Sequence, residues 1–173
     1  MTLECLIPRE VVARRVAELA GEIGRASTDV ADLSVVVLLN GALIFAADLV
    51  RRLEIPLTMD TLAVASYEQG HSTGLVAFRS PLKLNPEGRD MLVVDDILDS
   101  GLTLRRVVDS LRSAGAARVR SCVLLDKSAP RHPEGLARAD FTAFQVPDKF
   151  IVGYGLDADE RYRNLPDVMA LIR

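Results

Sequence analysis

The sequence contains no tryptophan, only two cysteines and two histidines, and aromatic residues make up 5% of it. Cys5 and Cys122 lie far apart, and neither they nor His71 and His132 have neighbours at a metal-ligand spacing. We therefore expect no metal site at these residues. Cys122 lies in an apolar run and is interpreted as a buried thiol, which favours reducing, cytoplasmic conditions.

The chain also lacks an excess of positive charge and a long uninterrupted hydrophobic run. Its net charge is −3 and its pI about 5.4, which does not favour binding to nucleic acid or to an anionic membrane. The N-terminus has an early acid and no long apolar core, so it does not resemble a secretory signal. The most apolar window, residues 35–50, is too short to span a bilayer and is interrupted by Asn40, Gly41 and Asp48.

The pattern that is present is an alternation of strands and helices. With 173 residues and 49% hydrophobic composition, the chain suits one compact domain. Apolar runs predict strands, and three- to four-residue periodicity predicts helices. Strands are expected at 35–39, 60–66, 91–95, 118–125, 141–146 and 150–154; helices at about 8–24, 42–53 and 103–114; a long polar loop at 67–89; and a mostly irregular tail from 155. In the 42–53 helix, Leu43, Ala46, Ala47 and Val50 are expected to face inward. This order predicts an α/β fold with a mainly parallel sheet flanked by helices.

Three carboxylates crowd the end of one predicted strand, in the stretch LVVDDILDSGLTL at residues 92–104. Ligands of open parallel sheets bind outside the carboxyl ends of the strands, where Asp95 and Asp96 lie. Two carboxylates roughly 6 Å apart repel by about 3 kcal/mol at an effective dielectric near 20. Such a pair indicates a cation or hydroxyl donors that offset the repulsion.

The residues after these acids are typical of an anion site. Ser100 and Thr103 offer hydroxyl groups, Gly101 allows the backbone to approach a ligand, and a helix N-terminus follows. Acceptors for hydroxyls or Mg²⁺ thus stand beside a cradle for phosphate, which suits a sugar phosphate. The stretch contains neither a GxxxxGK[ST] phosphate loop nor a GxGxxG dinucleotide fingerprint.

This stretch resembles the phosphoribosyl-pyrophosphate motif of type I phosphoribosyltransferases. PDKFIVGYGLD at 147–157 and ERYRNLP at 160–166 are similar to the purine-binding and C-terminal signatures of the hypoxanthine-guanine members. SYEQGHSTG at 66–74 resembles their catalytic loop, and LNGALIFAAD at 39–48 their pyrophosphate loop. The resemblance implies one phosphoribosyltransferase domain over 1–173, with a core at about 30–140 and a small hood at about 1–8 and 141–173.

The implied reaction is purine salvage. It transfers the 5-phosphoribosyl group from phosphoribosyl pyrophosphate to N9 of a 6-oxopurine, hypoxanthine or guanine, giving IMP or GMP and pyrophosphate. The enzyme would be a pentosyltransferase with Mg²⁺ as cofactor. By resemblance, Asp99 acts as general base or acid at the purine N7, Asp95 and Asp96 hold the ribose hydroxyls directly or through Mg²⁺, and Asp157 reaches Mg²⁺ through water.

The resemblance also assigns binding roles. Ser100, Gly101, Leu102 and Thr103 would cradle the 5′-phosphate; Asn40, Gly41 and Arg163 would bind pyrophosphate; Phe150, Lys127, Ile151 and Asp157 would contact the purine; and Ser66 and Tyr67 would close over the centre. Phe150 would stack on the ring, and Lys127 would donate to O6. Because adenine presents an amino group there, it should be rejected.

The sequence departs from the family at the pyrophosphate loop. A lysine often precedes the glycine there, whereas this chain has Asn40 before Gly41. The resemblance implies a strained or cis non-proline peptide between Leu39 and Asn40, and the loss of a cation should weaken pyrophosphate binding.

Other functions stay open at this stage. A xanthine-preferring relative would share these motifs, and some proteins of this fold are regulators that sense nucleotides. The resemblance further implies a homo-oligomer, a dimer or tetramer, with the apolar helix at 42–53 as a candidate interface.

Overall fold

The computed structural model describes residues 2–63 and 82–172, which form two sheets and three helices. The helices are α1 (Arg9–Arg25), α2 (Leu43–Val50) and α3 (Leu102–Ser113). The strands are β1 (Thr2–Ile7), β2 (Leu33–Leu39), β3 (Leu57–Ala63), β4 (Asp90–Leu98), β5 (Arg118–Lys127), β6 (Phe141–Val146), β7 (Ile151–Val152) and β8 (Val168–Ile172).

The larger sheet is parallel throughout, in the order β3-β2-β4-β5-β6. Its central strands are buried on both faces because their side chains alternate between two apolar clusters. Val35 and Val37 pack with α1 and α2, while Val36 and Leu38 pack with α3. The predicted α/β class with a parallel sheet flanked by helices is therefore confirmed.

Helix α1 follows the predicted periodicity. Pro8 stands at its N-cap with extended backbone, as its fixed φ allows before a first turn. Its fully buried side chains recur every three or four positions; they are Val12, Val16, Leu19 and Ile23. This apolar stripe attaches α1 to the sheet.

The predicted inward face of α2 is wrong in part. Leu43 is 53% exposed and Ala47 is also exposed, whereas Phe45 and Leu49 are fully buried. The helix is apolar nearly all round, so two faces with the same spacing compete in the sequence, and periodicity alone does not choose between them. The larger Phe45 decides the face because it buries more apolar area.

The smaller sheet has the order β1-β8-β7 and is antiparallel. We use the name hood for this sheet together with residues 147–167, which lead into β7 and join it to β8. Strands β1 and β8 were not predicted, because each pairs with the opposite end of the chain and neither carries a strong local signal. The predicted strand at 150–154 is only Ile151–Val152, since Gly153 and Tyr154 have positive φ and turn the chain. Strand β6 pairs with β5, so 141–146 extends the core sheet rather than the hood.

Within residues 2–63 and 82–172, no helix has both the length and the apolar character needed to cross a membrane.

Candidate active site

Strand β4 extends beyond its neighbour β2 at the carboxyl end of the sheet, and a cavity lies there. Its pairing with β2 ends at Val94, whereas its pairing with β5 continues to Leu98. Asp95 and Asp96 therefore lie where β4 is covered on one side only. They line a cavity of about 270 Å³ together with Gly41 and residues 97–101. The strand continues to Leu98, beyond the end predicted at residue 95, so both acids belong to it.

The surroundings of the two carboxyl groups disfavour their charged forms. Burial raises the pKa of Asp95 well above its usual range, and the adjacent charge of Asp96 adds to the effect. Burial also raises the pKa of Asp96, although a hydrogen bond with Asp95 and the positive charge of Arg163 oppose that rise. A cation placed between these carboxylates would favour their charged forms and so offset the effects of burial and of mutual repulsion.

The β4–α3 turn, residues 99–103, has the conformation of an anion cradle. Gly101 precedes α3 with a φ of 78°, in the left-handed region that favours glycine. A Cβ atom there would collide with the carbonyl group of Leu136. The N–H group of Leu102 lies 3.4 Å from Ser100 Oγ, at the positive end of the helix dipole. Asp99 and Ser100 are exposed, so a ligand can reach the turn.

The loop after β2 is held between the acidic pair and the hood. The peptide between Leu39 and Asn40 is cis, as the resemblance implied. A Cβ atom on Gly41 would collide with the Asp96 carboxylate, and one on Gly155 would collide with the Gly41 carbonyl oxygen. Asn40 itself is exposed beside the cavity.

Lys127 joins two carboxylates on the other side of the turn. It ends β5, and its Nζ lies 3.1 Å from Asp99 Oδ2 and 3.4 Å from Asp148 Oδ1. Its side chain is only 13% exposed, so the ammonium group is held in place. Phe150 is 50% exposed two residues after Asp148, while Ile151 is buried. These contacts bring the segment before β7 next to Asp99.

Arg163 is engaged within the hood. It forms ion pairs of 2.9 Å with Asp157 and with Glu160, and it donates to the carbonyl oxygen of Gly155 at 2.9 Å. The same Asp157 accepts a hydrogen bond from the N–H of Glu160. Arg163 therefore stands close to the loop that holds Gly41, with its charge already partly compensated.

The expected ligand set of Asp95, Asp96 and Asp157 is not brought together as a closed metal site. In the part of the chain that the structure describes, no three histidine, cysteine or acidic side chains cluster closely enough to hold a metal ion. The adjacent Asp95 and Asp96 still suit Mg²⁺, which commonly takes one or two carboxylates and completes its shell with water and substrate phosphates.

Two predicted residues, Ser66 and Tyr67, lie outside the described residues. Sequence reasoning missed others in the site. Asp148 stands within the quoted PDKFIVGYGLD stretch but received no role, and its contact with Lys127 has no sequence signal. Arg131, which donates to the carbonyl groups of Leu98 and Asp99, stands in a proline-flanked turn that carries no motif.

Comparison with known proteins gives consistent results. Residues 9–159 match the family model described as the phosphoribosyl transferase domain. The hypoxanthine-guanine phosphoribosyltransferase of Aquifex aeolicus is 43% identical over 167 residues, covering 96% of this chain and 93% of that protein. The enzyme of the same name from Bacillus subtilis is 43% identical over 169 residues, covering 96% and 91%. A crystal structure of a Bacillus anthracis hypoxanthine-guanine phosphoribosyltransferase has a TM-score of 0.87 at 37% identity and covers 98% of each chain.

Proposed function

Because the chain belongs to the hypoxanthine-guanine phosphoribosyltransferase family, we propose that the cavity at the end of β4 is its active site. The protein transfers the 5-phosphoribosyl group from phosphoribosyl pyrophosphate to N9 of a 6-oxopurine, giving the nucleoside monophosphate and pyrophosphate. The observation that carries the site assignment is the position of Lys127, which joins Asp99 to Asp148 beside the anion-binding turn.

The protein's main work in this reaction is to position groups and to manage charge. The bond from C1′ to pyrophosphate breaks through an oxocarbenium-like centre, so accurate placement of base and sugar accounts for much of the rate. Asp99 faces the base and exchanges the proton at N7 as N9 forms its new bond. General acid–base catalysis of this kind contributes roughly 10²- to 10⁴-fold in rate.

The β4–α3 turn binds the 5′-phosphate and the acidic pair binds the ribose. Backbone N–H groups of residues 100–103, together with the hydroxyls of Ser100 and Thr103, donate to the phosphate oxygens. Asp95 and Asp96 accept from the ribose hydroxyls or hold Mg²⁺, which when bound neutralises charge on the departing pyrophosphate. The raised pKa of Asp95, caused first by burial and then by the charge of Asp96, supports this role, because a bound cation or hydroxyl donors would favour the charged carboxylates and offset both effects.

Pyrophosphate is bound between the loop after β2 and the hood. Asn40 and the backbone of Gly41 donate from one side, and Arg163 offers two guanidinium N–H groups from the other. The proximity of Arg163 to Asp96, whose pKa its charge lowers, supports this placement. Asp157 keeps Arg163 in place through their ion pair and can reach Mg²⁺ through water.

Base recognition uses the segment before β7. The half-exposed ring of Phe150 offers a face for stacking on the purine. The fixed ammonium group of Lys127 donates to O6, and backbone groups at Ile151, together with Asp157, face the 2-position. An adenine amino group at position 6 would leave two donors facing each other, which selects against adenine strongly.

We also propose a homo-oligomer in which α2 lies at the interface. The apolar character of α2 nearly all round supports this assignment, because contact with a second copy would remove the exposed Leu43 side chain from water. Size-exclusion chromatography with light scattering tests it. A monomeric mass for the native chain would contradict the assignment, as would an unchanged mass for Leu43→Glu.

The direct test of the activity is nucleotide formation followed by ultraviolet absorbance. The purified protein is mixed with Mg²⁺, phosphoribosyl pyrophosphate and, separately, hypoxanthine, guanine, xanthine and adenine. We expect turnover of 6-oxopurines, no turnover of adenine, and a roughly 10²- to 10⁴-fold lower kcat for Asp99→Asn. Asp109→Asn is the matched control and should keep full activity, since Asp109 is a half-exposed acid on α3 that pairs with Arg105.

The outcomes separate the alternatives. Turnover with xanthine alone would identify a xanthine-preferring enzyme. Failure with every base, despite measurable binding of phosphoribosyl pyrophosphate, would overturn the enzymatic function and favour a nucleotide-sensing role.

A further inference from the structure

Four consecutive carbonyl groups at the start of the β4–α3 turn accept hydrogen bonds from one short segment, residues 131–136, which we call the supporting turn. Arg131 Nη1 donates to the carbonyl oxygens of Leu98 at 3.0 Å and of Asp99 at 2.7 Å. The backbone N–H of His132 donates to the carbonyl oxygen of Ser100 at 3.1 Å. The N–H of Leu136 donates to the carbonyl oxygen of Gly101 at 3.0 Å. All four carbonyl groups therefore face the supporting turn.

This arrangement fixes the direction of the N–H groups in the β4–α3 turn. In a trans peptide the carbonyl oxygen of one residue and the N–H of the next point in opposite directions. When the carbonyls of residues 99–101 face the supporting turn, the N–H groups of Ser100, Gly101 and Leu102 face away from it. These are the N–H groups that the proposed function assigns to the 5′-phosphate.

The two turns are in direct contact, without intervening side chains. A Cβ atom on Gly101 would collide with the backbone of Leu136, and one on Gly135 would collide with the carbonyl oxygen of Ser100. The close backbone approach leaves little room for the peptides of the β4–α3 turn to rotate.

Arg131 is in turn fixed by two strands. It forms an ion pair with Asp126 on β5, and the other carboxylate oxygen of Asp126 accepts a hydrogen bond of 3.0 Å from Gln145 Nε2. Gln145 is the partner of Asp126 in the pairing of β6 with β5. The side chains of Arg131 and Asp126 are 16% and 9% exposed, so both are shielded from water. The rigid sheet thus sets the position of the guanidinium group.

We propose that Arg131, held by Asp126 and Gln145, is a positioning residue that orients the phosphate-binding N–H groups of the β4–α3 turn. The inference rests on the proposed function, because it concerns the same phosphate site. Arg131 contacts no substrate in this arrangement. It acts by holding the Leu98 and Asp99 carbonyl groups on the side opposite the ligand, and it thereby also fixes the backbone that carries the Asp99 side chain.

The test compares binding of two ligands that differ only in the 5′-phosphate, IMP and inosine, by isothermal titration calorimetry. In Arg131→Met the two carbonyl groups lose their donor. We expect the affinity for IMP to fall by roughly tenfold, which corresponds to one or two hydrogen bonds, while the affinity for inosine changes little. The KM for phosphoribosyl pyrophosphate should rise in parallel. Arg131→Lys, which keeps the charge and can reach one carbonyl group, should recover part of the loss.

Two further variants separate positioning from general stability. Arg120→Met removes another half-buried arginine, one that donates to the carbonyl oxygen of Ala26 at 2.7 Å, far from the site. It should lower the melting temperature without changing the ratio of IMP to inosine affinity. The double variant Asp126→Leu with Arg131→Met removes both charges and leaves no buried ion unpaired. It should fold and still show the selective loss of IMP binding.

The possible outcomes distinguish this inference from the proposed function. If the native chain binds IMP and turns over hypoxanthine, but Arg131→Met and the double variant keep its ratio of affinities, the positioning role is wrong. Equal losses for IMP and inosine in both variants would also overturn it. If the native chain neither binds IMP nor forms nucleotide, the proposed function itself is wrong.

Discussion

Lys127 Nζ lies 3.1 Å from Asp99 Oδ2, and this ion pair joins the ends of the neighbouring strands β4 and β5. The same ammonium group lies 3.4 Å from Asp148 Oδ1, so one largely buried cation is shared by two more exposed carboxylates. In the proposed reaction the purine presents N7 and O6 on one edge, which faces both Asp99, the proton-exchanging acid, and Lys127, the donor to O6. The ion pair therefore links catalysis to base selection through a single side chain.

We expect Lys127→Met to raise the KM for hypoxanthine by about 10- to 100-fold, which corresponds to the loss of a hydrogen bond from a charged donor. Steady-state kinetics with each base measures it. Lys149→Met is the matched control, since Lys149 pairs with Glu4 at 2.9 Å on the hood and is 43% exposed. It should leave the KM unchanged. Equal effects of the two variants would contradict the role of Lys127 at O6.

Asp95→Asn should stabilise the ligand-free protein at neutral pH while it lowers activity. The folded-state pKa of Asp95 is raised, so above that pKa the native protein carries a carboxylate that burial and Asp96 disfavour. The free energy of unfolding due to this group therefore falls as the pH rises from about 4, the usual pKa of an unfolded aspartate, through the folded pKa. Chemical denaturation at several pH values should show a smaller decline for the variant.

The control for this experiment is Asp90→Asn at the other end of β4. Asp90 forms an ion pair with Arg118, so its substitution should reduce stability at neutral pH instead of increasing it. Mg²⁺ with pyrophosphate should raise the free energy of unfolding of the native protein more than that of the Asp95→Asn variant, because the variant retains only one carboxylate of the pair. A lower free energy of unfolding for Asp95→Asn than for the native protein at pH 7 would show that the charged Asp95 does not destabilise the fold.

Asn40→Lys should strengthen binding of phosphoribosyl pyrophosphate. Asn40 is exposed beside the cavity, so a longer side chain fits without repacking, and it would place a cation near the pyrophosphate. We expect the KM for phosphoribosyl pyrophosphate to fall about three- to tenfold at low salt and the gain to shrink at high salt, because the new attraction is partly screened. Asn40→Met, of similar length and without charge, should give no gain; a gain from both would exclude the electrostatic explanation.

Tyr154→Phe should loosen the hood from the core. Tyr154 Oη donates a hydrogen bond of 2.6 Å to Asp48 Oδ2 on α2, and Asp48 also forms ion pairs with Arg51 and Arg52. Loss of a hydrogen bond to a charged acceptor costs about 1.5–3 kcal/mol. Urea denaturation measures the loss. Asp48→Ala, which removes the acceptor and also the ion pairs with Arg51 and Arg52, should lower the free energy of unfolding by at least as much. The double variant should be no less stable than Asp48→Ala alone; additive losses would show that the two groups act separately.

The core elements were predictable because their signals are local. The apolar runs of β2, β4 and β5 and the periodicity of α1 lie within short windows, and the sequence placed all four within a few residues. Strands β1 and β8 depend on pairing between the two ends of the chain, which no window contains. The predicted inward face of α2 was wrong in part because apolar residues occupy nearly every position of this helix.

The candidate active site likewise contains residues with a local sequence signal and residues without one. The motif at 92–104 drew attention to Asp95, Asp96 and Asp99, whose residue types alone indicate chemistry. Arg131 could not be found in this way, because its contribution depends on which carbonyl groups a distant turn approaches. Residues that bind a ligand through their side chains can be recognised by residue type and spacing in the sequence. Residues that orient a backbone can be recognised only from their contacts in the structure.

Positions 41 and 155 set limits on how this protein can be altered by directed evolution. The Gly155 backbone rests on the carbonyl oxygen of Gly41, and Gly41 rests on Asp96. A side chain at position 155 must push against the Gly41 backbone, and one at position 41 must displace the Asp96 carboxylate that lines the cavity. Single substitutions at either position should therefore be depleted from a mutant library selected for activity. If the base binds as proposed, library diversity aimed at new bases belongs at Asp148 and Phe150, which take no part in the contact between Gly155, Gly41 and Asp96.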